Sequence, residues 1–152
     1  MESLTSSFRD PSGFMFSRAG VIYRQVNKSF QGTFDAFMES GLYDRITERG
    51  MLVPHQEVES TGFPGSPERY KILKPQQIPF ISYPYEWSFH QLKDAAMATL
   101  KVQAEALNRG FVLKDASAFN IQFVDSKPVF IDTLSFEPYR DGTPWVAYKQ
   151  FC

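Results

Sequence analysis

The chain has 152 residues, 43% of them hydrophobic, which suffices for one domain or two small lobes around a buried core. Sixteen Lys plus Arg against seventeen Asp plus Glu leave a net charge of -1, so no general positive field gathers nucleic acid or anionic lipid, and neither a polynucleotide nor a membrane is expected as partner. The single cysteine, Cys152, excludes an internal disulfide and a thiolate metal cluster, which points to a reducing, cytoplasmic setting.

The first ten residues are polar, carry Glu2, Arg9 and Asp10, and read as neither a signal nor a transit peptide. No later stretch approaches the roughly 20 apolar residues of a membrane-spanning helix. Phe14 to Phe16 and Val21 to Val26 are β-prone runs on either side of Ser17-Arg18-Ala19-Gly20, the pattern of a hairpin. From Phe30 the residues Phe34, Phe37, Met38, Leu42 and Ile46 recur at helical intervals; Ser40-Gly41 is a point of interruption and Gly50 a stop. Met51 to Val53 and Tyr70 to Leu73 read as short strands around an exposed, mobile loop, Ser60 to Pro67.

The proline-punctuated run Ile78 to Tyr85 reads as a connector between two lobes, so the boundary falls between 1–82, a small β-rich lobe with one helix, and 83–152. Ser88 and Gln91 form a capping-box pattern, after which Phe89, Leu92, Ala96, Leu100 and Leu107 keep one helix face apolar until Gly110. Asn120 to Val124 and Pro128 to Ile131 flank Asp125-Ser126-Lys127 as a second hairpin, and Thr143-Pro144 reads as the opening of a helix carrying Trp145, Tyr148 and Phe151. So short a terminal helix is marginal alone, and the chain is expected to be the front part of a longer protein.

Chemistry concentrates between the long helix and the second hairpin. Asp115 is followed five residues later by Asn120, and Asp132 lies twelve residues beyond, at the end of Val129-Phe130-Ile131. This order and spacing resemble the catalytic loop and metal-binding loop of protein-kinase-like and aminoglycoside-phosphotransferase-like folds. The resemblance implies an α+β fold with a small β-rich lobe and the beginning of a helical lobe. It also implies Asp115 as the catalytic carboxylate toward an acceptor hydroxyl, and Asn120 and Asp132 as ligands of Mg2+ on ATP, since phosphoryl transfer needs hard oxygen ligands and a carboxylate on one rigid platform. Carried upstream, it makes Arg24, on the strand before the first helix, the holder of the nucleotide phosphates and Glu39, on that helix, its partner; Lys71 and Lys74 are competing cations. The sequence departs from the pattern in three places. Leu113 stands where a His precedes the catalytic Asp, Asp132-Thr133-Leu134 lacks a glycine, and Gly13 and Gly20 are isolated rather than part of a phosphate loop.

Ile78 to Trp87, together with Leu113 to Phe123, also resembles the N-terminal part of bacterial nodulation-protein-like, S-adenosylmethionine-dependent methyltransferases, and nearly the whole chain fits. This resemblance implies a larger transferase with its methyltransferase domain and S-adenosylmethionine downstream, acting on a saccharide or another small molecule. The chain itself has no glycine-rich turn to seat that cofactor. Two readings follow: a kinase-like domain that binds Mg-nucleotide for transfer to a small-molecule hydroxyl, or a non-catalytic recognition, docking or homodimerisation module beside the downstream domain. An aromatic content of 16% suits the second, with Tyr83, Tyr85, Trp87 and Trp145 able to stack a ring but more commonly buried. His55 and His90 are isolated and read as surface or capping residues.

Overall fold

The structure is a computed structural model that describes residues 2–3 and 10–151; the rest of the polar N-terminus and Cys152, both considered above, lie outside the described residues. In chain order the elements are β1 (Glu2–Ser3), β2 (Gly13–Arg18), β3 (Val21–Asn27), α1 (Gln31–Glu39), α2 (Leu42–Glu48), β4 (His55–Val58), β5 (Arg69–Pro75) and α3 (Phe89–Leu107). They continue with β6 (Phe111–Leu113), β7 (Ile121–Val124), β8 (Lys127–Phe130), β9 (Phe136–Pro138) and α4 (Tyr148–Phe151). The chain divides into two compact units, Met1–Asp35 with Pro54–Gln77, and Ala36–Val53 with Ile78–Cys152. No helix among the described residues is long and apolar enough to cross a membrane.

The first unit is an antiparallel sheet of five strands in the order β1-β2-β3-β5-β4. Its hairpin closes through Ala19 and Gly20, both with positive φ (50° and 77°), the left-handed pair that matches the twist of two antiparallel strands. Both faces of the sheet carry buried apolar residues, Phe16 and Ile72 on the side of Gln25 and, on the other, Val26 and Leu73, and Phe30 and Phe34 are buried as well. Polar bonds complete the cover on the Gln25 side: Gln25 Nε2 donates to Asn27 Oδ1 (2.8 Å) and Ser66 Oγ (3.3 Å), and Arg69 Nε donates to Gln25 Oε1 (3.2 Å). That explains why Arg24, Gln25 and Val26 are all buried although successive strand residues point to opposite faces. The 60–67 loop is exposed at most positions, as expected, yet Phe63 packs edge-on against Phe16 and Tyr23 at 5.7 and 5.1 Å and fastens it to the hairpin.

In the second unit one cluster joins Phe37, Leu42, Ile46, Leu52, Phe130 and Phe136 with the inner side of α3. The break expected at Ser40-Gly41 is present: α1 ends at Glu39, α2 begins at Leu42, and Gly41 holds φ of 71°. Met51 to Val53 is not a regular strand. Leu52 makes an isolated parallel bridge with Phe130, closed by Phe130 N to Met51 O and Val53 N to Phe130 O, each 2.9 Å; Pro54, which has no N–H, follows, and β4 starts only at His55. The Thr143-Pro144 helix opening is also corrected. Thr143 directs both its N–H and its hydroxyl back to Arg140 O (3.1 and 2.6 Å), making a turn, and α4 begins four residues after Pro144.

The capping box of α3 forms as read: Gln91 N donates to Ser88 Oγ (3.3 Å) and Ser88 N to Gln91 Oε1 (2.9 Å). The face it buries is another matter. The residues turned into the core are Ala95, Thr99, Val102, Gln103 and Ala106, whereas Phe89, Leu92, Leu100 and Leu107 are exposed and Ala96 is half-buried. Small side chains win the inner position because α3 lies close to β6 and β8, where the bulk is supplied by Phe111, Leu113 and Phe130.

Candidate functional site

Two short ladders place the candidate residues. β6 pairs with β9 and β7 with β8, so the segment joining β6 to β7 (114–120) and the segment joining β8 to β9 (131–135) must run side by side. Two backbone bonds fasten them together, Lys114 N to Ser135 O (2.8 Å) and Ile131 N to Asn120 O (2.9 Å). The hairpin between β7 and β8 is as tight as Asp125-Ser126 suggested, with φ of 48° and 63° at those residues.

Asp132 caps the turn that follows it, its Oδ1 accepting from Leu134 N (3.2 Å) and its Oδ2 from the Ser135 hydroxyl (2.8 Å). Asn120 Nδ2 donates to the same hydroxyl oxygen at 3.4 Å. Ser135 is wholly buried and thus links the two residues assigned from sequence as metal ligands. Asp115 stands on the adjoining segment, where Oδ1 accepts from Ser117 N (3.0 Å). That segment is held further by Ala116 N donating to Gln150 Oε1 (2.7 Å), and the strand that leads into it by Trp145 Nε1 donating to Leu113 O (2.9 Å). Asp115, Asn120 and Asp132 are therefore carried by two mutually bonded segments, and all three are half-buried.

The donor chemistry suits a hard divalent cation, which takes carboxylate and carboxamide oxygens; with Asn120 Nδ2 turned to Ser135, Oδ1 is the atom left to act as ligand. Among the described residues no group of three or more His, Cys, Asp and Glu is placed to hold a metal, so a cation here would rest on Asn120 beside Asp132. Ser135 was not singled out from sequence. The signal was present as Asp132-x-x-Ser135, a spacing at which a hydroxyl folds back onto an acidic turn residue.

Arg24 and Glu39 fall in different units. Arg24 is almost fully buried on β3, and its Nη2 forms an ion pair with Asp10 Oδ2 at 2.9 Å; Glu39 is exposed at the last position of α1. Lys71 lies on β5 with its Nζ donating to Glu57 Oε1 (2.8 Å) and 5.4 Å from the centre of the Phe34 ring. Burial pulls the pKa of Lys71 down, but the bond and charge of Glu57, with Tyr70 and Asp35, outweigh it and leave it raised. Tyr70 is raised too, first because its hydroxyl donates to Asp35 (2.8 and 2.9 Å). His55 is not a plain surface residue. Burial lowers its pKa to about 4, against a smaller upward pull from Glu57, and it lines a cleft with Pro54, Lys74 and Gln77. Of the aromatics, Tyr83 and Tyr85 are exposed and stacked at 5.4 Å, while Trp87 and Trp145 are half-buried, with Trp87 Nε1 donating to Ser82 Oγ (2.9 Å).

No protein-family profile matches the chain. It is 40% identical over 152 residues, 98% of its length, to the nodulation protein NoeA of Rhizobium meliloti (strain 1021), of which the match spans 31%. Among solved structures it is similar to vaccinia related kinase 3, with a TM-score of 0.51 and 13% identity, over 88% of this chain and 47% of the kinase. The fold is kinase-like, as the spacing of Asp115, Asn120 and Asp132 implied, and the nodulation-protein resemblance holds over nearly the whole chain.

Proposed function

We propose that this kinase-like region, part of a larger NoeA-like protein, binds a Mg-nucleotide on the two bonded segments 114–120 and 131–135 for phosphoryl transfer to a small-molecule hydroxyl. The observation that carries this reading is the Ser135 hydroxyl, buried between Asp132 Oδ2 and Asn120 Nδ2, which orients one carboxylate and one carboxamide together. Oriented side chains lose little freedom on gaining a ligand, and a cation site gains affinity from such preorganisation. Asn120 Oδ1 and the Asp132 carboxylate hold the cation, which when bound supplies charge neutralisation on the phosphates. Asp115 aligns the acceptor hydroxyl and takes its proton.

The alternative is a non-catalytic recognition or docking module for a downstream S-adenosylmethionine-dependent methyltransferase domain acting on a saccharide or similar molecule in the cytoplasm. The observation that favours it is that both Asp132 oxygens accept bonds from the turn they cap, the work of a structural aspartate, and that Leu113 is buried where a kinase-type loop carries a His. Calorimetric titration with Mg-ATP separates the two, with Asp132→Asn as control. Magnesium-dependent binding by the native chain that the substitution removes is the expected result. Absence of binding to Mg-ATP moves the function to the docking module, and a parallel titration with S-adenosylmethionine is expected to be silent.

A further inference from the structure

The apolar arc of α3 is wider than its own unit covers. At about 100° per residue, Ala95, Thr99, Val102 and Ala106 centre on one direction, and Phe89, Leu92, Ala96, Leu100 and Leu107 on a second, roughly a quarter-turn away. The second set runs the whole helix, about 28 Å for its 19 residues, with Phe89 76%, Leu92 40%, Leu100 49% and Leu107 45% exposed. A helix needed only to complete this core would carry its large apolar residues inward; here the large ones are outside and the small ones inside. Isolated exposed leucines are ordinary, but a row at helical period, interrupted at the buried Gln103, is the form of an interface.

The charges beside the row identify the occupant. Its outer edge carries Lys93 and Lys101 around Met97, and Lys101 and Lys127 line a cleft of about 310 Å³ next to that edge, with Asp94 as its acid. Glu105, the other acid of α3, is engaged by Arg45 and Arg49. Antiparallel pairing with a second copy would set Lys93 and Lys101 against their own counterparts, because like edges meet in that arrangement. A helix with an acidic edge fits instead.

We propose that the outer face of α3 is the docking row for an amphipathic, acid-edged helix supplied by the remainder of the full-length protein, outside the part that corresponds to this chain. The source is assigned from length: the matched region is 31% of NoeA, which leaves ample polypeptide to cover the row. The assignment rests on the reading of this chain as one region of a larger protein and needs no nucleotide site, so silence toward Mg-ATP does not touch it.

The test places a cysteine at Leu100 in this chain, with Cys152→Ser, and at the aligned position of full-length NoeA, then follows maleimide labelling at that thiol by peptide mass mapping. Labelling at least about tenfold slower in full-length NoeA is expected, as for a thiol reached only by opening of a packed surface. Equal rates overturn the proposal. Zero-length crosslinking of full-length NoeA is expected to join the positions aligned with Lys93 or Lys101 to acidic residues outside the matched third; crosslinks confined to the matched third overturn it. In sedimentation of this chain, a dimer dissolved by Leu100→Glu would reassign the row to a second copy.

Discussion

Ser135→Ala tests whether the candidate site is a bonded unit or a chance neighbourhood. The substitution removes a fully buried hydroxyl that donates to Asp132 Oδ2 at 2.8 Å and accepts from Asn120 Nδ2 at 3.4 Å. A bond to a carboxylate contributes about 1.5–3 kcal/mol. Asp132 is half-buried, so water replaces part of the lost bond and the lower end applies; the longer Asn120 bond adds little. The expected loss is about 1.5–2 kcal/mol, or a urea midpoint lower by about 1 M at a slope near 1.5–2 kcal/mol/M. Trp87 and Trp145, the two tryptophans of the chain, both lie in the second unit, so their fluorescence follows the unit that holds Ser135. In a double-mutant cycle with Asp132→Asn, a coupling of about 1 kcal/mol is expected. Strict additivity of the two substitutions, or an unchanged midpoint for Ser135→Ala, would refute the hydroxyl bridge and with it the preorganised pair.

Three further outcomes are expected. His55 has a folded pKa of about 4 against 6.5 when free, so the folded state favours the neutral ring; its contribution is complete above pH 6.5 and is lost as pH falls toward 4. Between pH 7.5 and 5 the native chain should lose about 2 kcal/mol more urea stability than His55→Gln, and equal losses would exclude the buried neutral imidazole. On α3, Val102→Ala should cost about 1–2 kcal/mol and Leu100→Ala less than about 0.5 in this chain, a contrast read from thermal melts that reverses if the helix is rotated. Gly41→Ala should cost more than about 1 kcal/mol by urea titration, because φ is 71° and the added Cβ would lie 3.0 Å from Arg109 Nη1, whose guanidinium donates to Ser40 O.

Local signals explain why several elements were legible. Ala19-Gly20 and Asp125-Ser126 make tight left-handed turns, Ser88 with Gln91 starts α3, and Gly41 separates α1 from α2, each through bonds or angles within a few residues. The interval from Asp115 to Asn120 to Asp132 was legible for a related reason: two connected ladders allow only a narrow range of loop lengths between the residues they carry.

The rest required the folded chain. Sequence alone could not choose between the two apolar faces of α3, because period 3.6 marks a row without saying what lies opposite, and proximity to β6 and β8 turned the small residues inward. It also left Ser135 unremarked and read a helix from Thr143, since the Asn120 bond and the return of the Thr143 hydroxyl to Arg140 depend on backbone placement. Turns, caps, helix period and the spacing of the acidic loop are set by bonds near in the chain, and so are legible in the order of residues. Tertiary structure decided which face is buried and which side chains share a hydrogen bond, because those depend on segments brought together only by folding.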